Sequence, residues 1–312
     1  MSDLVKNSYL FDKMKLKCLY KNENIKMVNV GIEDEHLNQV YGESLQFPEF
    51  PKDRPYTYSS LVTSIDGRIA FNDAPEGPFI ASKNYLAKEG SIVDWYTLNV
   101  LRASADAIIF GANTLKMEPN GTGHVYDDSL EKSRVRMGKN EIPWNVIPTL
   151  DGTDIPYGHV QFTGKQIPII FYTTPNGVKL CQENSLKPVV IINDVLKEEI
   201  QLNVDVNYIV VTGDKVMDNV KGMKILRSMG IKTLLVESPS LMHLFIQDHL
   251  MDELFLNYSC VYLGGDSLTI GKNFKAFDSK NHPHTSLVTV YMHSSHYMYL
   301  RHKVIYNVKE VC

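Results

Sequence analysis

Residues 101–114 read Leu101-Arg102-Ala103-Ser104-Ala105-Asp106-Ala107-Ile108-Ile109-Phe110-Gly111-Ala112-Asn113-Thr114, and the change of texture inside this stretch decides the fold class. Upstream of it, residues 91–105 wind as a helix with Ile92, Trp95, Tyr96, Asn99 and Arg102 on adjoining faces. From Asp106 to Gly111 the pattern is instead a short apolar run bounded by turn formers, which predicts a buried strand. The stretch is one helix-to-strand step of an α/β sheet. Toward the amino terminus, residues 56–65 are β-prone, Asp66-Gly67 is a turn pair, and Arg68-Ile69-Ala70 resumes an apolar run, so the expectation is strand, turn, strand. Toward the carboxyl terminus, residues 167–173, 189–192 and 208–212 are short apolar runs bounded by Pro, Asn or Gly, as expected of strands covered on both faces.

A helix is predicted over residues 215–229, with Val216, Val220, Met223, Leu226 and Met229 at helical spacing and Gly230 beyond its end. It feeds a strand over 231–237. Ser238-Pro239-Ser240 then stands before Leu241, Leu244, Phe245 and Leu250, and Ser at the N-cap with Pro at the first helical position is a strong helix start. Residues 253–260, 287–292 and 297–308 are β-prone without long helices between them, which predicts antiparallel strands at the end of the sheet. Residues 117–166 are rich in Gly, Asp, Asn and Pro and are expected to be a lid, a dimer arm or an insertion. Residues 1–54 are polar and weakly periodic, with Pro48 and Pro51 around Phe47 and Phe50, and read as an extension packed over a domain of residues 55–312.

The balance of 32 basic against 36 acidic residues, 32 − 36 = −4, argues against a bulk nucleic-acid binder. Cys18, Cys181, Cys260 and Cys312 include no C-x-x-C spacing, and His282, His284, His293 and His296 form no helical pair, so no metal is expected. No signal-like or membrane-length apolar run is present, and the expectation is a cytoplasmic protein without membrane contact.

In an open α/β sheet, ligands gather at the carboxyl ends of the strands, where helix N-termini aim free N–H groups at anions. Two places fit: Phe110 to Thr114, where small residues permit close backbone approach, and Glu237 to Leu241, a strand end carrying a carboxylate before a capped helix. Ser64-Ile65-Asp66-Gly67-Arg68-Ile69-Ala70, the 101–114 stretch, Leu235-Val236-Glu237, Asp252-Glu253-Leu254 and Leu263-Gly264-Gly265 follow one another in that order. Over residues 54–308 this resembles the reductase domain of the riboflavin-biosynthesis deaminase-reductase, in the dihydrofolate-reductase-like superfamily. The resemblance implies a mostly parallel central sheet flanked by helices with antiparallel C-terminal strands. It implies a homodimer in which NADPH reduces the open-chain imine of a ribosylaminopyrimidine phosphate to a ribitylamino product. By position it implies cofactor contacts at Val62, Ser64, Phe79, Gly111, Thr114, Glu118, Pro239, Ser240 and Leu241, and substrate contacts at Asp66, Arg102 and Glu237. Glu237 or Glu118 would supply the proton that follows the hydride. Lys187 or Lys215 would meet a 2′-phosphate.

The chain departs from that family at two places. Ser238 and Pro239 stand where two glycines are usual, which removes an N–H from the phosphate cradle. Glu118-Pro119 stands for Asp-Asp-Pro without the following Thr-Val-Arg, leaving Arg134 or Arg136 as substitutes. The His-x-Glu and Pro-Cys-x-x-Cys pattern of a zinc deaminase is absent. Read without the family, Asp66-Gly67 is a hairpin turn, Arg102 pairs with Asp106 on a solvated helix face, and Thr114 caps a turn. Reduction of a pterin, folate or other small imine or carbonyl compound, and non-catalytic nucleotide binding, remain alternatives.

Overall fold

The computed structural model describes residues 4–271 and 274–307. Its strands are β1 (Lys17–Lys21), β2 (Asn29–Ile32), β3 (Leu45–Phe47), β4 (Tyr56–Thr63), β5 (Ala107–Ile109), β6 (Trp144–Thr149), β7 (Ile169–Thr173), β8 (Val189–Ile192), β9 (Asn207–Val211), β10 (Thr233–Val236), β11 (Glu253–Ser259), β12 (His284–Ser294) and β13 (Tyr297–Ile305). The α-helices are α1 (Glu35–Tyr41), α2 (Phe79–Ser82), α3 (Lys88–Ser104), α4 (Ala112–Met117), α5 (Asp128–Arg136), α6 (Val160–Thr163), α7 (Val178–Glu183), α8 (Asn219–Ser228) and α9 (Pro239–Gln247).

Eleven strands form one sheet in the order β1-β12-β13-β11-β4-β10-β5-β6-β7-β9-β8, and every neighbouring pair from β11 to β8 is parallel. The pairings β11 with β13, β12 with β13 and β1 with β12 are antiparallel. This is the α/β architecture that the alternation of helical and strand patterns implies, because parallel neighbours need crossovers and bury both faces. On one face Tyr58, Ile108, Leu235 and Phe255 pack with Leu101 of α3. On the other, Ile109, Leu234 and Val236 pack with Met223 and Leu226 of α8 and Leu241 and Phe245 of α9.

The stretch expected to be an insertion holds an integral part of the sheet: β6 lies between β5 and β7 and is buried throughout. Its sequence, Trp-Asn-Val-Ile-Pro-Thr, hides the strand because Asn145 and Pro148 interrupt the apolar run. The second strand expected at residues 68–70 is also absent, and only a single bridge joins Arg68 to Thr269. Val308, at the end of the last predicted strand, lies outside the described residues.

The extension is part of the body. Its β1 closes one edge of the sheet against β12. Asp34 caps α1 through the N–H groups of His36 and Leu37, and its second oxygen accepts the hydroxyls of Ser129 and Ser133 at α5. Arg301 of β13 lies 5.2 Å from the ring of Phe47 and 5.1 Å from that of Phe255, and its charge is met by the fully buried Glu253.

Arg134, offered by the sequence as a substrate-phosphate ligand, has a different task. It is 1% exposed and donates to the carbonyls of Arg102, Ala103, Ala105 and Asn140, so it is a cationic cap on the last turn of α3. Burial pulls its guanidinium down to about 10, and it has no face left for a ligand. Replacing Arg134→Met strands those carbonyls without donors, and urea denaturation should show a loss of about 3 kcal/mol or more. Arg136→Met, at an exposed position, should cost under about 0.5 kcal/mol.

Candidate functional site

Glu237 is the first residue past β10, where its N–H continues the ladder to Ile109 O at 2.9 Å. Registers place Val236 opposite Ser59 and Ile109, so Glu237 falls level with Ser60 and Phe110 and shares the α3 face with Leu235. Arg102, in the last turn of α3, reaches it with both arms of its fork: Nε donates to Oε1 at 2.7 Å and Nη2 to Oε2 at 2.6 Å. The side chains are 8% and 10% exposed. Nη1 of Arg102 donates to the carbonyls of Thr122 at 3.3 Å and His124 at 3.2 Å. The guanidinium carbon lies 5.9 Å from the ring of Trp95 and 5.7 Å from that of Tyr126. Burial alone would pull Arg102 down, but the charge of Glu237 and its hydrogen bonds outweigh burial and hold the guanidinium above the usual arginine range.

Glu118 follows α4 at the carboxyl end of β5. Burial pushes its carboxyl up, Arg102 pulls it down and Glu237 pushes it up again, with a net rise above the usual carboxylate range. Two carboxyl groups in one electrostatic neighbourhood are thus unequal, one bound by an arginine and one biased toward its protonated form.

The loop that supplies the Arg102 carbonyls is itself fixed. Burial pulls His124 down to about 4, so it is a neutral imidazole whose Nε2 donates to Val5 O at 2.8 Å and whose Nδ1 accepts from Thr122 Oγ1 at 2.6 Å. Gly123 N donates to Gln161 Oε1, and Gly123 O accepts from Asn145 Nδ2, while Gln161 Nε2 closes the circuit on Asn145 Oδ1. A Cβ on Gly123 would lie 1.9 Å from Asn145 Oδ1, so only glycine passes here.

The other residues named from the sequence fall in separate places. Asp66 accepts from Gly264 N at 2.8 Å and Leu263 N at 3.3 Å, and Ser64 Oγ donates to it. Its carboxyl is held down to about 2, chiefly by Ser64 and against a small desolvation cost, with the two loop N–H groups adding to the effect. Ser64 spends its N–H, carbonyl and hydroxyl on the same turn. Val62 is half-buried beside Asn257, and Phe79 is half-buried with Lys83 Nζ 5.2 Å from its ring. Gly111 and Thr114 open α4, and a Cβ on Gly111 would meet nothing within 4 Å. At α9, Leu241 is buried and its N–H is taken by Ser238 Oγ at 3.4 Å, leaving the exposed Ser240 as the open position beside Pro239. Arg102 does not pair with Asp106, which is held by Lys139 and accepts the N–H groups of Lys232 and Thr233. Lys187 donates to the carbonyls of Ile167 and Val204 at the amino ends of β7 and β9, the wrong edge for a strand-end ligand, whereas Lys215 is exposed beyond the carboxyl end of β9.

Sequence reasoning passed over Tyr126, His124 and Gln161, which lie in the stretch without visible periodicity, and over Asp94 and Asn257. Among the described residues no three His, Cys, Asp or Glu side chains gather as a metal site, and no helix is long and apolar enough to cross a membrane.

A parallel sheet that gathers a paired and an unpaired carboxyl group beside a helix N-terminus at its strand ends defines an α/β protein with a candidate ligand site at that edge. The chain belongs to the RibD C-terminal domain family, whose model matches residues 55–295. Among solved structures it is similar to a pyrimidine reductase-like protein from Corynebacterium diphtheriae, at 18% identity and a TM-score of 0.60, covering 82% of this chain and 94% of that one. A diaminohydroxyphosphoribosylaminopyrimidine deaminase/5-amino-6-(5-phosphoribosylamino)uracil reductase from Thermotoga maritima matches at 18% identity and a TM-score of 0.51, covering 81% of this chain and 57% of that one. RibD of Acinetobacter baumannii matches at 15% identity and a TM-score of 0.53, covering 81% and 58%. The chain therefore spans little more than half the length of these last two. No curated protein matches the sequence. Family and fold together make the chain an oxidoreductase resembling the pyrimidine reductases of riboflavin biosynthesis.

The ion pair sets a stability prediction. Glu237→Gln leaves the buried Arg102 charge without its counterion and should cost about 3 kcal/mol, whereas Arg102→Met combined with Glu237→Leu should recover most of that loss. A double-mutant cycle in urea checks it.

Proposed function

We propose that this protein reduces the open-chain imine carbon of a ribosylaminopyrimidine phosphate to the ribitylamino product, with NADPH as reductant. The observation that carries the reading is the buried Arg102–Glu237 pair at the end of β10, in a chain of the RibD C-terminal domain family, with Glu118 after β5 biased by burial toward its acid form. Reduction of a C=N bond needs a hydride at carbon and a proton at nitrogen, and Glu118 is the group suited to give the proton, directly or through water. Glu237 has both oxygens occupied by Arg102 and acts by position, accepting an N–H or O–H of the substrate.

NADPH, when bound, supplies the hydride. The residues present fit it at three points: the open space beside Gly111, the free position Ser240 at the start of α9, and the exposed Lys215. Ser240 would hold the pyrophosphate and Lys215 the 2′-phosphate. A homodimer working in the cytoplasm completes the reading.

The burial of Arg134 supports a second reading. With that arginine committed to α3, the exposed Arg136 is the remaining candidate from the sequence for a substrate phosphate. An unphosphorylated pterin, folate or other small imine or carbonyl compound would then be the substrate. Turnover of the ribosylaminopyrimidine with and without its phosphate separates the two, since equal kcat/KM would favour the second.

Three substitutions and a pH profile test the main reading. Glu118→Gln should slow single-turnover hydride transfer roughly 100- to 10,000-fold while leaving NADPH affinity within about twofold. Because the acid form is required and the carboxyl is raised, wild-type kcat should fall as pH rises through that raised value, a limb Glu118→Gln should lack. Ser240→Ala should weaken NADPH binding roughly tenfold by calorimetry, and Lys215→Ala should abolish any preference for NADPH over NADH.

A further inference from the structure

Asp94 is a carboxylate that the chemistry above leaves unused. It lies two turns before Arg102 on α3, and Asp94, Leu98 and Arg102, each four residues apart, line one side of that helix. Its Oδ1 accepts from Asn257 Nδ2 at 2.6 Å, and Asn257 is buried in β11. Nearby, Tyr297 is fully buried and its hydroxyl approaches Asp94 without completing a hydrogen bond.

The sheet registers fix where this cluster sits. Asn257 is level with Val62 of β4 and Glu237 is level with Ser60, all on the α3 face. The two polar pairs are thus two strands apart and offset by two residues, roughly 12 Å. Eight residues along α3 give the same span of about 12 Å. Between the pairs, Ser60 and Val62 on the sheet and Trp95 and Leu98 on the helix are half-buried rather than sealed. A partly exposed face therefore runs from Arg102–Glu237 at one end to Asp94–Asn257 at the other. Packing does not dictate the polar far end, because Asn257 backs onto a cavity of about 60 Å³ lined also by Tyr41, Thr97, Phe255 and Tyr299.

Resting on the reductase reading, we propose that Asp94 is a substrate-binding residue that accepts an N–H of the pyrimidine ring or its amino group, at the end of this face remote from the Arg102–Glu237 pair. Its negative charge also repels the substrate phosphate, so Asp94 orients the substrate with the ring toward β11 and the sugar toward β10. The length between the pairs suits an open-chain pentose carrying a pyrimidine ring.

Burial pushes Asp94 up to about 6, while Asn257 and Tyr297 pull it down. The titratable groups facing it are Tyr297 and Tyr299 from β13 and Tyr41 from α1, all held far above neutral pH by burial. Arg102 and Glu237 stand two helical turns away. Substrate binding should therefore strengthen as pH rises through about 6. Stability moves the other way, because a raised carboxyl contributes fully below its unfolded value and loses that contribution as pH rises to about 6.

The test is calorimetric titration of 5-amino-6-(5-phosphoribosylamino)uracil into the full chain, with steady-state kinetics, for wild type, Asp94→Asn and Asn257→Ala. Asp94→Asn should raise Kd and KM roughly 10- to 100-fold, change kcat less than threefold, leave NADPH affinity unaltered and reduce the pH dependence of Kd near 6 to that of the substrate phosphate alone. A purely structural role would give an unchanged KM with a higher Tm above pH 7, and that result overturns the proposal while the reductase reading stands. Wild type that binds and reduces nothing overturns both.

Discussion

A single ion pair between the last turn of α3 and the end of β10 organises this molecule. Two charges taken out of water lose several kcal/mol of hydration each, and the loss is recovered only when geometry and additional hydrogen bonds are complete. Arg102 meets that demand with two bonds to Glu237, two to backbone carbonyls and two aromatic rings at its faces. Each partner must then be held in turn. Thr122 and His124 lie on a loop pinned by Val5 of the extension and by Asn145 of β6, so elements far apart in sequence serve one guanidinium. The α3 carbonyls beneath it are closed by a second buried arginine, Arg134.

That arrangement also separates the two carboxyl groups. Glu237 is held by both arms of the Arg102 fork, whereas Glu118 makes no such pair: burial pushes its carboxyl up, the charge of Arg102 pulls it down, and Glu237 pushes it up again by less. One carboxyl is thus fixed in place by an arginine and the other is biased by burial toward its protonated form.

The legible parts of the sequence were those where periodicity and caps act locally. The step from α3 to β5 is visible because helical spacing gives way to an unbroken apolar run, and the start of α9 is visible because Ser238 and Pro239 satisfy helix-end chemistry within a few residues. The second strand expected at residues 68–70 does not form, because Asp66 and Arg68 turn to the loop at 263–268 rather than to a hairpin partner. The strand β6 was hidden by Asn145, whose polar side chain is there to brace the loop at Gly123. The partner of Arg102 could not be read locally either: Glu237 lies 135 positions away, while Asp106, four residues on, offered a plausible but unused local match. Asn257 and Asp94 were missed for the same reason, since 163 residues separate them and neither breaks its local pattern.

The start of α9 carries the same tension between building a helix and leaving it free to bind. Ser238 and Pro239 secure the turn, but proline offers no N–H and the serine hydroxyl occupies that of Leu241. That bond is long, at 3.4 Å, and so weak enough for a stronger acceptor to displace it. A phosphate oxygen gains more from an N–H than a hydroxyl does, because the bond becomes charge-assisted. The cap and the proposed pyrophosphate site are then alternative partners for one donor, with Ser240 adding a second donor that the fold leaves uncommitted. Two donors are fewer than a glycine-rich cradle presents, so the grip on the cofactor must come in larger part from charge at its other end. On this reading the exposed Lys215 beyond β9, rather than the helix start, sets the affinity, and the binding should weaken steeply with salt.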